Sequence, residues 1–188
     1  CPLRNYIELI NPLGEDYSVM RTTLIPNILD LLTRNYNRGI KDCYVYEIGN
    51  IFIPKELPLK DLPTEKKILA IGMYGNVDFY DIKEVVEILF DRMGIKGLEY
   101  VPEKKDPTFH PNRTANILYN GKNMGILGEI HIDVMEKYDI DTRIYIAHLD
   151  FDEIIKETKM EKKYKPLPKY PAIMRDIALV VDNEVLVG

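Results

Sequence analysis

"RTANILYNGKNMGILGEIHI", residues 113–132, decides what kind of sheet this chain builds. Two apolar runs, "RTANILY" and "MGILGEIHI", flank Asn120-Gly121. That dipeptide accepts the two successive positive φ angles of a type I′ turn, so the runs are expected to fold back as an antiparallel hairpin. "RIYIAHLDF" (143–151) reads as the next strand, and "DEIIKET" (152–158) as a short helix.

Upstream, "DFYDIKEVVEILFDRMG" (78–94) is a helix by spacing. Ile82, Val85, Val86, Leu89, Phe90 and Met93 recur every three or four residues, and Gly94 ends the run. Asp78 and Asp81 stand where they would cap its start. "ILAIGMYG" (68–75) is a strand. "CYVYEIGNIFI" (43–53) is β-branched or aromatic at most positions, which predicts a central strand covered on both faces. The segment between them, 54–67, carries three prolines and reads as a surface loop. Near the start, "YIELIN" (6–11) is a short strand. Thr22 or Thr23 is placed to cap a helix with Pro26 in its first turn, Ile28, Leu29, Leu31, Leu32 and Tyr36 on one side, and Gly39 as its stop. The resulting order, β-α-β-β-α-β-β-β-α, predicts an α+β fold whose mainly antiparallel sheet is flanked by helices.

Composition sets the outer bounds. The 188 residues are enough to bury a sizeable core, and 46% apolar with 29% charged residues fits a globular protein. A net charge of −5 argues against a surface that grips nucleic acid everywhere, though not against a local basic patch. Cys1 and Cys43 are the only cysteines, without metal-ligand spacing, which points to a reducing cytoplasm. No run approaches the roughly 18 apolar residues of a membrane span. The chain opens on Cys-Pro and stops at "EVLVG" in mid-strand or mid-turn, so it is expected to be a piece of a longer protein.

The residues alone name no chemistry. His110, His131 and His148 stand singly, so no metal site is expected. Ser18 lacks a Gly-x-Ser-x-Gly elbow, and Cys43 opens an apolar strand as a small hydrophobe. "GMYGNVDFYDIK" has neither phosphate-loop spacing. Paired carboxylates such as Glu15/Asp16, Asp150/Asp152 and Glu129/Asp133 arise by chance in a chain with 30 acidic residues. "KMEKKYKPLPKYP" (159–171) holds five lysines and three prolines and reads as an extended linker. Its lysines, with Tyr164 and Tyr170 between them, also suit RNA phosphates and bases. "MRDIALVVD" (174–182) beyond it reads as an apolar strand.

Taken in order, "NPLGEDYSVMRTTLIPNILDLLTRNYNRG", "YEIGNIF", "FYDIKEVVEILFDRMGI", "FHPNRTANILYNGKNMGILGEIHIDV" and "YPAIMRDIALVVD" resemble the β-subunit family of bacterial phenylalanyl-tRNA synthetases. The resemblance implies a core module of the class II synthetase type over 1–157, non-catalytic, and a lysine- and proline-rich linker over 158–170. It also implies the first strand of a truncated, ferredoxin-like anticodon-binding domain over 171–188. Catalysis in this family belongs to the α subunit of an α/β heterotetramer, which uses ATP and magnesium. This fragment is therefore expected to bind no cofactor of its own.

Two signatures support that expectation. Class II enzymes carry a Gly-Arg-Val-Phe-Arg pattern whose last arginine meets the adenylate; "GNIFI" here puts Ile53 in its place, with neither charge nor donor. A second signature, Gly-x-Gly-x-Glu-Arg, aligns with "HLDFDE", which places Asp150 at a glycine and Glu153 at the arginine that holds the γ-phosphate. Asp16, Arg21, Thr23 and Arg113 are expected to be structural, with Arg21 paired to a carboxylate inside the protein. Lys162, Lys163, Lys165 and Lys169 are the candidates for tRNA contact. The implied partners are the α subunit and, through the parent complex, tRNA, with no membrane. The rival readings are a stand-alone ATP-dependent adenylating domain and a small tRNA-binding module.

Overall fold

The computed structural model describes residues 5–14, 18–159 and 175–182. A two-stranded ribbon of β1 (Ile7–Glu8) and β2 (Val19–Met20) leads into α1 (Ile25–Asn37). A six-stranded sheet follows, built from β3 (Cys43–Ile53), β4 (Thr64–Tyr74), β5 (Glu99–Pro102), β6 (Phe109–Tyr119), β7 (Lys122–Ile130) and β8 (Ile144–Asp150). Helices α2 (Phe79–Arg92), α3 (Ile132–Lys137) and α4 (Phe151–Glu157) connect or follow its strands. The spatial order is β3-β4-β8-β7-β6-β5, and every neighbouring pair is antiparallel.

The hairpin forms where the sequence placed it. Asn120 and Gly121 take φ of 51° and 76°, and Tyr119 pairs with Lys122. Two pairs further on the register shifts, because Ile117 faces Gly125 while Leu118 faces Asn123. The extra residue, Met124, is turned fully into the core.

The sheet divides two hydrophobic clusters. On one face α1 packs Ile25, Ile28, Leu29 and Leu32 against Ile51, Ile68, Ala70 and Ile146, joined by Met135 and Ile140 from the α3 region. On the other, Ile82, Val86 and Phe90 of α2 and Ile154 of α4 cover Leu69, Leu127, Ala147 and Leu149. The start of α2 follows local chemistry. Asp78 accepts from the Tyr80 and Asp81 amides while Asp81 accepts from the Asp78 amide, which completes a capping box.

Several expectations need correction. Strand β3 is not central: it pairs only with β4 and forms an edge, leaving Tyr44 61% and Tyr46 73% exposed. A β-branched and aromatic run fits any half-buried pleat, so composition does not separate edge from centre. Leu24, not Thr22 or Thr23, is the N-cap of α1. Strands β2 and β5 and helix α3 were not foreseen, since each spans six residues or fewer and shows no full period. His131, expected within a strand, caps α3 by accepting from the Asp133 amide. Strand β4 also starts earlier, inside the expected loop. Among the described residues, 175–182 pair with no strand and Ile177, Leu179 and Val180 are exposed; the expected strand at 174–182 lies partly outside the described residues.

Candidate functional site

Alternation along four strands brings Ile51, Ile53, Ile68, Ile126, His148 and Asp150 around one cavity of about 380 Å3 on the α1 face. The register explains the grouping: Ile68 pairs with Asp150, and Ile126 with His148. Ile53 and Asp150, some hundred residues apart in the chain, thus share a single hollow.

Charge in this hollow is unfavourable to an anion. Among the described residues, Lys66 is its only cationic lining residue, against Glu103, Asp106 and Asp150. The Lys66 ammonium is itself committed, donating to Asp150 Oδ2 at 2.9 Å. Asp150 spends its other oxygen on the Glu153 amide at 3.2 Å, capping α4. Glu103 accepts from the Lys105 amide and from Asn116, and these bonds hold its pKa below the ordinary carboxylate value. Nothing in the hollow offers a guanidinium fork to phosphate.

His148 lies at the inner edge. Its Nε2 stands 3.2 Å from Thr23 Oγ1, whose oxygen also accepts from the Ile25 amide. Burial drives the imidazole pKa down to about 4, only partly offset by the nearby Asp150 and Asp106, so the ring is neutral near pH 7. Thr23 therefore ties the start of α1 to β8.

Glu153 does not join Ile53 and Asp150. It sits on the first turn of α4, on the α2 side, where it pairs with Lys122 of β7 and with Lys156 at 2.9 Å. The hydrogen bonds from Lys122 and Lys156 lower its pKa to about 2. Glu153, expected at the place of a phosphate-holding arginine, is not among the residues that line the hollow.

The other structural candidates have clear partners. Arg21 Nη1 donates to Glu47 Oε1 at 2.6 Å, and Nε to the Asn50 carbonyl at 2.9 Å. Arg113 donates to Glu129 at 2.8 Å on the opposite face of the sheet. Glu129 is buried and also accepts from the Tyr145 hydroxyl at 3.0 Å. Asp16, Lys162, Lys163, Lys165 and Lys169 lie outside the described residues. Sequence reasoning missed Lys66, Glu103 and Asp106. Alternation along β4 was the signal for Lys66, whereas the other two sit beside a strand that went unrecognised.

Comparison with known proteins gives the family and the fold likeness of the chain. The family described as phenylalanyl tRNA synthetase beta chain CLM domain matches residues 2–151. The phenylalanine–tRNA ligase beta subunit of Clostridium tetani is 48% identical over 98% of this chain and 23% of its own length. That of Clostridium acetobutylicum is 43% identical, again over 98% and 23%. The chain belongs to the phenylalanyl-tRNA synthetase β-chain family. It spans about a quarter of the length of these relatives. Two structures of pyrrolysyl-tRNA synthetase from Desulfitobacterium hafniense superpose with TM-scores of 0.64 and 0.65 at 16% identity, covering 82% of this chain and 54% of theirs. That likeness concerns the fold alone: the mainly antiparallel, synthetase-type sheet flanked by helices.

Proposed function

We propose that this chain is a non-catalytic structural part of a phenylalanyl-tRNA synthetase β chain, serving ATP-dependent ligation of phenylalanine to tRNA by the α subunit in a cytoplasmic α/β heterotetramer. Residues 1–157 are the core module. Residues 158–170 are a lysine- and proline-rich linker with Lys162, Lys163, Lys165 and Lys169 as the candidates for tRNA contact, and 171–188 begin a ferredoxin-like anticodon-binding domain. ATP and magnesium act on the α subunit.

One observation carries the reading. The hollow that corresponds by motif to a nucleotide site holds Ile53 and a Lys66–Asp150 pair, with three carboxylates to one ammonium. A triphosphate would meet net repulsion there, where a working site needs preorganised cations.

The test is amino-acid-dependent ATP–pyrophosphate exchange by the chain alone, together with calorimetric titration of ATP and magnesium. No exchange and no binding in this hollow are expected, whereas the α subunit should co-purify with the chain. ATP lodged beside Ile53 and Asp150, or exchange without the α subunit, would refute the proposal.

A further inference from the structure

A second cavity, about 630 Å3, opens on the α2 face, across the sheet from the first. This volume suits a small organic ligand and far exceeds a bare phosphate. Its walls are largely apolar and aromatic, with Phe79, Tyr80 and Tyr100 prominent, and Phe79 and Tyr80 stand edge to face at 5.8 Å between ring centres. Its rim inverts the sign of the protein. Among the described residues, Lys83, Lys104, Arg113 and Arg143 line it against Asp78 as the sole acidic lining residue, in a chain of net charge −5.

Lys83 is paired with Glu87 at 2.9 Å, so the positive surplus of the rim rests on Lys104, Arg113 and Arg143. Arg113 and Arg143 share the one buried carboxylate of Glu129, at 2.8 and 4.0 Å, so two guanidinium groups face one negative charge. Arg143 keeps 65% of its side chain exposed at the mouth of the cavity while its Nε stands 4.0 Å from Glu129 Oε1. Lys83 is held 4.8 Å above the Tyr100 ring, and Lys104 is exposed on the opposite lip. Asp78 already satisfies the first amides of α2, so side chains rather than the helix start supply the attraction. The Tyr100 hydroxyl is buried, and burial together with the neighbouring Glu87 carboxylate raises its pKa, so it keeps its proton.

We propose that this cavity binds a nucleoside 5′-phosphate, free or as one unit of single-stranded RNA, with the base against Phe79, Tyr80 and Tyr100 and the phosphate on Arg143 and Lys104. Guanidinium forks match phosphate oxygens, and aromatic faces stack on any base. The inference does not rest on the role proposed above, because it concerns the other face of the sheet.

The test is a titration of the isotope-labelled 188-residue chain, followed by amide NMR. The probes are AMP, adenosine, inorganic phosphate and a 5′-phosphorylated trinucleotide. AMP should shift amides in 79–83, 100–104 and 143–145 saturably, and both adenosine and phosphate should bind more weakly. Lys104→Ala and Arg143→Ala should each weaken AMP about tenfold with an unchanged melting temperature. Tighter binding of the trinucleotide than of AMP identifies RNA as the source; the reverse identifies a free nucleotide. No saturable shift with either, shifts confined to the Ile53–Asp150 cavity, or variants that bind like the parent would overturn the assignment.

Discussion

Arg21 and Glu47 meet at 2.6 Å beside Gly49, where an added Cβ would lie only 2.2 Å from the Arg21 guanidinium. The pair straps the approach to α1 onto the edge strand, reinforced by the Phe52 amide donating to the Arg21 carbonyl at 2.9 Å. Each side chain is 34% exposed, so solvent screens the attraction. Arg21→Ala is expected to cost about 1–2 kcal/mol in urea unfolding, the sum of a screened ion pair and one hydrogen bond. Gly49→Val should cost a similar amount by displacing the guanidinium. A stable Arg21→Ala protein with altered ligand binding would instead assign Arg21 to a ligand.

His148 predicts a pH dependence. Its folded pKa, about 4, lies below the ordinary 6.5, so the unfolded chain takes up the proton first. Stability is full above pH 6.5 and is lost as pH falls towards about 4, by on the order of 3 kcal/mol. His148→Gln should flatten this stretch of the curve. Equal slopes in urea titrations of the two proteins would show that the ring is not buried neutral.

Glu153 acts in a lower window. Its pKa is depressed to about 2, so its contribution is present above 4.5 and disappears as pH falls through about 2. Glu153→Gln and Lys122→Met should each lower stability at neutral pH and shrink the acid limb. Thermal melts over this range separate the effect from that of His148, whose titration is complete at higher pH.

Gly125 tests the register shift in the hairpin. It has φ of +150°, and a Cβ there would stand 2.5 Å from the His148 carbonyl oxygen and 2.8 Å from Leu149 Cα. Both are backbone atoms of β8 that cannot yield cheaply. Gly125→Ala should cost roughly 3 kcal/mol or more, by strain plus collision. A melting temperature within a degree or so of the parent would contradict this close approach.

Helix α2 and the turn at Asn120-Gly121 were legible because their signals are local: a sustained three-and-four spacing with an acidic cap, and a dipeptide suited to positive φ. The strand order was not. Tyr44, Tyr46 and Ile48 look alike in sequence whether a neighbour covers them or not, and only the long-range pairing of β4 with β8 makes β3 an edge. At the site, Ile53 and Asp150 came together because strand alternation is predictable once the register is known. Glu153 escaped because one residue's rotation around a helix turn decides which side of the sheet it serves. Arg21 found its carboxylate in Glu47, a partner that spacing could not name.

Because a single sheet separates the two clusters, the layers α1 and α2 share almost no side chains. Substitutions around the Ile53–Asp150 hollow can therefore accumulate on one side while packing on the other stays undisturbed, and the module remains a sound building block.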